Sequence, residues 1–489
     1  MNQPVDSSGG SAGGSVAHLD VRLVPAALAS WIVTAAGMVW PIGGALAGCC
    51  VGLAVASGLA WWLLAGRPRP SGPLRVISAV LMAAGVVGAG YGLAIALRAD
   101  AVGRHPITAA FGSSAPVTVV PSESGLPVGR GRMMFRATLL RLRDDEISGR
   151  VVVFARSSDS SDSSDSSGGF GELMVGQPVR FSARISRPTR HDLTVAVLTA
   201  TGQPELGSAG TVQRAAHTVR SRFATAVHQV MSADQAAMLP ALVLGDTSLV
   251  TAGTTGEFRA AGMTHLTAVS GANVTIVCAA VLLSAQLIGP RAAVVSAGLA
   301  LVAFVIVVQP TASVLRAAVM GAIALTAMLL SRRRQAIPAL STTVLVLLAV
   351  APHLAVDMGF SLSVVATAAL VVVAPGWSGR LVGRGWPKPL ADAIAVAGAA
   401  QVVTAPLVAA ISGRFSLVAV VANLVVAPVI APITVLGTAA AVLAVCWPAG
   451  AQLLIRFTGP EVWWVLRVAH WAARVPGASV PVPSGVAGL

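Results

Sequence analysis

The chain opens with long apolar stretches separated by short polar breaks. Each stretch is long enough to cross about 30 Å of hydrocarbon, and a helix satisfies its own backbone hydrogen bonds in lipid. We therefore predict three transmembrane helices within residues 24–100. Arg67 and Arg69 lie in the loop before the third helix, so this loop and the disordered, polar tail of residues 1–23 should be cytoplasmic. The predicted helices cover residues 24–40, 42–64 and 74–97.

Between residues 101 and 207 the apolar runs shrink to strand length and alternate with polar residues. Phe135 and Phe181 fall on the apolar faces of two such strands, so we expect both rings to pack in a core. About five short strands in about a hundred residues are typical of a small β-barrel such as an OB-fold. Residues 157–169, which repeat serine and aspartate, are predicted to form a disordered loop. The third helix ends outside, so this domain should be extracytoplasmic.

The same domain carries two clusters of arginine, one early and one late in its sequence. On a small barrel, arginines beside aromatic residues can bind a single strand by phosphate contact and base stacking. The arginines are Arg130, Arg132, Arg136, Arg141, Arg143, Arg180, Arg184, Arg187 and Arg190.

Residues 208–260 are predicted to form an amphipathic helical segment. Apolar side chains between Val212 and Val230 recur at spacings of three and four, and arginines and histidines fall between them. Such a helix lies on a membrane surface or docks on a helix bundle.

Bilayer-length apolar runs return in residues 261–475 and predict a transmembrane bundle, which is followed by a tail of residues 476–489. The run at residues 416–447 is too long for one straight crossing, and we expect Pro428 and Pro432 to break it into two pieces. The remaining predicted segments cover residues 263–288, 292–308, 313–331, 336–352, 359–375, 390–411 and a tryptophan-rich end at 452–472.

Composition supports a membrane location. Only 11% of the residues are charged, whereas a soluble domain has about a quarter. The net charge of +14 is explained mainly by the positive-inside rule, because basic loops in both halves of the chain fall on the same side of the membrane. In the second half these are Arg332, Arg333, Arg334, Arg380, Arg384 and Lys388. The sequence thus predicts a polytopic α-helical membrane protein with an inserted extracytoplasmic small β-barrel (OB-like) domain.

Signatures of soluble enzymes are missing from the sequence. It contains no Walker A loop, no GxSxG elbow and no HExxH motif. Its four cysteines lie in apolar runs without a CxxC spacing. We therefore expect no nucleotide-driven motor, no cofactor and no metal site, and a protein that is not an enzyme.

Polar residues at membrane depth are costly, and they usually line a cavity, a pore or a helix interface. The densest group includes Thr264, Thr267, Ser270 and Asn273, whose spacing of three would place them on one ridge of one helix. This ridge is either a hydrated, pore-facing stripe or a tightly packed helix interface. The candidate residues for a path through the membrane are Asp246, Glu257, Arg259, Thr264, His265, Thr267, Ser270, Gly271, Asn273, Arg316, Asp357, Gln401 and Asn423.

Two of these candidates carry specific expectations. Gly271 would let another helix or a strand of substrate approach closely. Arg316 lies just inside a predicted span, where an arginine most often extends to the membrane interface. The alternative for Arg316 is a phosphate contact at a channel mouth, which its planar fork suits.

Five sequence motifs follow one another between Leu239 and Pro432. In this order they resemble the signatures of ComEC-type competence proteins. The motifs are LVLGD at 242–246 with FRAAGMTHLTAVSG at 258–271, PTASVLRAAVM at 310–320, DMGFSLS at 357–363, AQVVTAP at 400–406, and FS at 415–416 with NLVVAP at 423–428.

The resemblance implies a channel that passes single-stranded DNA inward across the cytoplasmic membrane in natural transformation. Single-stranded DNA and membrane lipid would be its partners, together with a DNA receptor, a separate nuclease and a cytoplasmic DNA motor. Asn273 stands where the family usually has a histidine, and an amide cannot titrate. Many members also carry a C-terminal metallo-β-lactamase-like domain, which is not recognised up to Leu489. We therefore expect translocation without strand degradation.

Two other hypotheses remain open from the sequence. A transporter of a small solute or a lipid-linked substrate on a similar scaffold would bind its substrate near the midplane. A membrane-embedded enzyme would use Asp246, Glu257 and His265 as acid and base, although nothing in the sequence fixes their mutual geometry.

Overall fold

The computed structural model describes residues 20–40, 42–65, 72–129, 131–156, 170, 173–190, 192–330 and 335–482. Several predicted features lie outside these residues. They are most of the N-terminal tail, the serine- and aspartate-rich loop at 157–169, Arg130, the arginine loops at 66–71 and 331–334, and residues 483–489.

Three helices begin the described chain, close to their predicted bounds. The second and third pack closely, because a Cβ atom on Gly85 would lie 2.8 Å from the backbone nitrogen of Ala54 and the carbonyl oxygen of Cys50. Only glycine permits this approach of two helix backbones. The helices are α1 (Val24–Val39), α2 (Gly43–Ala65) and α3 (Gly72–Gly103).

A closed five-stranded barrel follows α3. Its strands pair in the order β1-β5-β6-β4-β3, and β3 pairs back onto β1; the short β2 adds to β3 outside the ring. Only β4 and β6 run parallel. Phe135 and Phe181 are 2% and 3% exposed, which confirms their predicted place in the core. The strands are β1 (Ser114–Pro121), β2 (Leu126–Pro127), β3 (Arg132–Leu142), β4 (Asp145–Arg156), β5 (Val179–Ser186) and β6 (Thr194–Leu206).

Three helices connect the barrel to the bundle. The predicted amphipathic helix is present as α4 (Thr211–Val230), which buries Phe223 and Val227. In contrast, α5 (Ala233–Leu244) is buried at every residue from 238 to 244, and it is a core helix of the bundle. The third is α6 (Ala252–Ala260).

The remaining helices form the bundle, and a two-stranded sheet pairs β7 (Arg414–Ser416) with β8 (Ser479–Pro481). Within the described residues, seven helical segments are long and apolar enough to cross a membrane. The bundle helices are α7 (Thr264–Thr267), α8 (Gly271–Ala285), α9 (Pro290–Val308), α10 (Ala312–Leu329), α11 (Ala336–Val350), α12 (Met358–Val372), α13 (Ala374–Val382), α14 (Lys388–Ser412), α15 (Ala419–Cys446), α16 (Pro448–Phe457) and α17 (Gly459–Arg474).

The predicted span at 263–288, and with it the single polar ridge, is wrong. Thr264 and Thr267 belong to the one-turn helix α7, whereas Ser270 has extended backbone angles and precedes the first residue of α8. Serine is one of the residues that are favoured directly before the first turn of a helix. Thr264, Thr267 and Asn273 therefore do not share one helix face.

The predicted break of the 416–447 run is also wrong, since α15 continues through Pro428 and Pro432. Each proline removes one backbone hydrogen bond, but helices among other helices in an apolar environment tolerate this loss. Packing supports α15 on both sides of the prolines, where Val426 and Ile433 are 1% exposed. The tryptophan-rich end differs in the opposite way, because it forms two short helices, α16 and α17, that meet at Thr458.

Candidate functional site

The motifs of the bundle contact one another through side chains that bind backbone carbonyl groups. Asn273 is 5% exposed, and its Nδ2 donates to the carbonyl oxygen of Leu242 at 2.9 Å. Its Oδ1 accepts from Ser270 Oγ at 3.3 Å. This amide therefore fixes the start of α8 against the last turn of α5, where an unpaired carbonyl would otherwise be left.

A second set of contacts joins α6 to the segment between α14 and α15. Ser416 Oγ donates to the carbonyl oxygen of Ala260 at 2.7 Å, and Gln401 Nε2 donates to the carbonyl oxygen of Ser416 at 3.3 Å. Asn423 Nδ2 lies 3.5 Å from the carbonyl oxygen of Gly262. Gly262 has a φ of +68°, and a Cβ atom there would lie 2.5 Å from that of Ala419. Glycine is thus required both for the turn and for the close approach of α15.

Arg316 lies at the meeting point of α8, α10 and α12. It is 8% exposed, so the expectation that it extends to the membrane interface is wrong. Its Nε donates to Ser363 Oγ at 2.7 Å, and Ser363 Oγ lies 3.3 Å from Ser313 Oγ. Its Nη2 is packed against Gly271, where a Cβ atom would lie only 2.5 Å away. Gly271 therefore provides the close approach predicted for it, and the approaching group is this guanidinium.

The buried guanidinium of Arg316 is not neutralised by the surrounding protein. Among the residues that the structure describes, Arg316 forms no salt bridge with a carboxylate, and its polar contacts are neutral. A buried cation without a counter-charge is costly. The arrangement is suited to an anion, which would supply the counter-charge that the described protein does not provide.

A small cavity adjoins these contacts, between α5, α8 and α15. Ser270, Asn273 and Thr434 give it polar atoms, and Leu242 and Ile433 close it. Its volume is about 10 Å³, which is about the space that one water molecule needs. A strand of DNA therefore cannot occupy this position while the helices are packed in this way.

Two predicted acidic candidates are paired with residues that the sequence reasoning missed. Asp246 Oδ2 lies 3.6 Å from Arg220 Nη2 of α4, and Glu257 Oε1 lies 2.7 Å from His470 Nδ1 of α17. The histidine beside Glu257 is thus His470, which was not among the acid–base residues of the enzyme hypothesis. No spacing signal connected these pairs, because Glu257 and His470 are 213 positions apart in the chain.

The remaining candidate residues for the path do not form one group in the fold. Arg259, Thr264 and His265 are exposed in the fold. Thr267 Oγ1 donates at 2.8 Å to the carbonyl oxygen of Thr264 inside its own helical turn. Asp357 precedes α12 and accepts from the backbone nitrogen of Phe360 at 2.8 Å. No group of three or more His, Cys, Asp or Glu side chains in the described part of the chain could hold a metal ion.

Asp357 also lies at a charged seam between the barrel and the bundle. We define this seam by Arg136 of β3, Arg150 of β4, Asp192, His353 and Asp357. Burial acts to lower the pKa of Arg136, but the carboxylate of Glu123 at 2.9 Å, helped by Asp357 and Asp192, raises it overall. Burial lowers the pKa of Arg150.

The positive charges of the seam come from Arg136 and Arg150, and they act on His353. Burial, followed by the charges of Arg150 and Arg136, lowers the pKa of His353 to about 4. The Nη1 atom of Arg150 is buried and has no hydrogen-bond partner among the described residues. His353 therefore stays neutral at neutral pH, and Arg150 keeps a buried donor for which the described protein supplies no acceptor.

Backbone strain marks the same seam. The structure describes three non-glycine residues with positive φ, and two of them, Leu193 and Gln309, connect the barrel to the bundle. Leu193 packs on the cluster around Leu354 and Phe360, and Gln309 Oε1 accepts from Ser124 Oγ at 2.9 Å. Such strain persists only where surrounding contacts enforce it, and it is concentrated at functional positions.

Comparison with known proteins identifies one family. The family model described as "Competence protein" matches residues 242–489, and no metallo-β-lactamase domain is found in the chain. No curated protein and no solved structure is significantly similar to it. The match covers just over half of the sequence and includes all the motifs whose contacts are described above. The chain therefore belongs to the Competence protein family, the family of the ComEC competence domain.

Proposed function

We propose that the protein is a multi-pass membrane channel that carries single-stranded DNA inward across the cytoplasmic membrane during natural transformation. In this proposal the N-terminus is cytoplasmic and the barrel is extracytoplasmic. The arginine loops of both halves of the chain support this orientation. The protein is not catalytic, and a DNA receptor, a separate nuclease and a cytoplasmic motor work with it.

The observation that carries this proposal is the buried guanidinium of Arg316. It lies where three family motifs meet, and the described protein gives it no carboxylate. A polyanion would supply the missing negative charge, one phosphate at a time. Because each phosphate is replaced by the next, a passing strand is held without being trapped.

The barrel supports the same substrate. We infer that it is OB-like, because it is a closed five-stranded barrel in which strands that are not consecutive, β4 and β6, pair in parallel. Domains of this kind bind single strands in grooves lined by arginine and aromatic residues. The strand would pass from the barrel to the bundle along the seam, where Arg150 offers its unpaired Nη1 atom.

Conduction also requires a change of conformation. The cavity beside Ser270, Asn273 and Thr434 has room for about one water molecule, so α8 and α15 have to separate for a strand to pass. The hydrogen bond from Asn273 to Leu242 would break in this step. We therefore propose that the packed bundle is the closed state and that the incoming strand favours the open one.

DNA uptake in a naturally transformable host tests this function. The chain would replace the resident channel, and fluorescent DNA and transformants would be counted. Arg316→Gln should lower transport by about tenfold or more, since a charge-assisted hydrogen bond to a phosphate is lost. Arg291→Gln is the matched control, because Arg291 is exposed at the start of α9.

Deletion of the chain should leave DNA bound outside the cytoplasmic membrane without internalisation. Equal amounts of both variants in the membrane fraction would exclude a folding defect. Unchanged transformation after deletion, in a host with a functional pilus, would contradict the proposal. Normal uptake by Arg316→Gln would remove Arg316 from the path.

A further inference from the structure

A groove lies between the N-terminal helices and the bundle, and none of the candidate path residues lines it. It is formed mainly by α3 and α11, with α1 at its base. Its volume is about 320 Å³, so it is far larger than the cavity beside Asn273. Its lining includes Val86, Gly90, Tyr91, Ala94, Arg98 and Leu348.

The groove is apolar along most of its length and is shaped by small residues. A Cβ atom on Gly90 would meet no atom within 4 Å, so Gly90 leaves open space at the groove. From Val86 to Arg98 the groove follows α3 for about 18 Å, at 1.5 Å per residue. This length is close to one leaflet of a hydrocarbon core that is about 30 Å thick.

One end of the groove carries a cation. Arg98 is exposed, and its Nη2 donates to the carbonyl oxygen of Ala349 at 3.1 Å, which holds the guanidinium at the groove. A guanidinium has five donors, so one such bond leaves capacity for an anion. Arg98 directly follows the apolar residues 74–97, so in the membrane orientation proposed above it would lie near the lipid phosphates.

We propose that this groove binds a glycerophospholipid, with one acyl chain lying along Gly90 and Ala94 and with its phosphate bound to Arg98. The lining of the groove is mostly apolar, and an acyl chain can lie along its whole length. The cation at one end matches the phosphate at the end of the chain. The proposal rests on the membrane location proposed above and does not depend on DNA transport.

The bound lipid would add to the contact between the N-terminal helices and the bundle, for which we describe three hydrogen bonds. Tyr91 donates to the carbonyl oxygen of Leu345 at 2.5 Å, and Trp31 Nε1 donates to that of Ala355 at 2.8 Å. Together with Arg98, these bonds attach α1 and α3 to α11 and the turn after it. The acyl chain would fill the remaining space and fix the N-terminal helices on the bundle.

Native mass spectrometry of the full chain tests the site. The protein is reconstituted in phosphatidylglycerol vesicles, extracted into detergent and analysed for retained lipid. The wild type should keep one phosphatidylglycerol molecule. Gly90→Leu should lose it, because the added side chain occupies the groove at a position where a Cβ atom meets nothing within 4 Å. Gly44→Leu on α2 is the matched control, since its Cβ atom also meets nothing within 4 Å.

Arg98→Gln should weaken retention by about tenfold or more, as expected for the loss of a charge-assisted hydrogen bond. Equal retention by Gly90→Leu and Gly44→Leu would overturn the site. A change from dimer to monomer in Gly90→Leu would also overturn it, because the groove would then hold a second copy. Failure of the wild type to insert into vesicles would instead refute the membrane location, and DNA uptake is measured separately.

Discussion

The barrel carries its polar side chains on the outside, whereas the helix bundle places several of them between its helices. The barrel core is made of apolar side chains such as Leu139, Ile185 and Leu198, each fully buried, and its ion pairs lie on the outside. In the bundle, side chains such as Asn273 and Gln401 reach between helices to backbone carbonyl groups. The barrel is therefore held by the removal of apolar surface from water, which is unavailable as a driving force between helices in lipid.

In the channel proposed above, this difference would separate a part that stays rigid from a part that moves. Apolar packing in the barrel has no alternative partner, so it gives one conformation. Hydrogen bonds between helices can be exchanged for bonds to water or substrate when a pore opens, at a small net free energy. The contacts at Asn273 and Asn423 are thus suited to the opening and closing proposed above.

The largest effect should come from the barrel core. Phe135→Ala removes a ring that is 2% exposed and leaves a cavity, so we expect a loss of about 3–5 kcal/mol in the free energy of unfolding. Chemical denaturation of the full chain in detergent measures this loss. Leu140→Ala on the same strand is the control, because Leu140 is 40% exposed and should change stability little. Similar losses in both variants would contradict a core held by burial.

A smaller effect is expected where α8 approaches α10. Gly271→Ala places a Cβ atom 2.5 Å from Nη2 of Arg316, so the guanidinium has to move, at a cost of about 1–3 kcal/mol. The matched control is Gly298→Ala in α9, where the added Cβ atom meets nothing within 4 Å. Thermal unfolding in detergent should separate the two variants. Equal melting temperatures would mean that the contact between Gly271 and Arg316 is not tight.

The sequence predicted the barrel better than the bundle for a physical reason. The alternation of apolar and polar residues along β3 and β5 predicts which side chains face the barrel core. Phe135 and Phe181 are indeed buried there. In the bundle nearly every residue is apolar, so the pattern does not distinguish a packed face from a lipid face. The spacing of Thr264 and Asn273 therefore suggested a ridge, whereas the extended backbone of Ser270 divides it between two helices.

Contacts over long sequence distances explain the other misses. The burial of Arg316 depends on Ser363, 47 positions away, and the pairing of Glu257 depends on His470. Periodicity cannot reach across such distances. The motif resemblance identified the family because it compares residues with other proteins, and it gave no information on which of them touch.

The seam provides a test that depends on pH. The pKa of His353 is about 4 in the fold and about 6.5 in an unfolded chain, so the unfolded state binds more protons between these values. The free energy of unfolding should therefore be highest above pH 6.5 and fall as the pH drops towards 4. The full shift corresponds to about 3 kcal/mol, and solvent screening of this partly exposed group reduces it to about 1–2 kcal/mol.

Denaturation at a series of pH values measures this dependence, and His353→Gln removes it. The difference between the curves of the wild type and His353→Gln isolates the contribution of the histidine. Parallel pH curves for the two proteins would contradict burial of His353 beside Arg150 and Arg136.

The smallest expected effect concerns the ion pair between Arg136 and Glu123, which lies on the outside of the barrel. Its side chains are 30% and 43% exposed, so Glu123→Gln should cost no more than about 1 kcal/mol. The pair of Arg141 and Glu146 is more exposed, at 56% and 75%, and Glu146→Gln should cost less still. A double-mutant cycle with Arg136→Gln measures the coupling, which should weaken in high salt. If Glu123→Gln instead lowers the free energy of unfolding by several kcal/mol, this ion pair belongs to the buried part of the seam. The barrel would then be stabilised by this pair as well as by its apolar core.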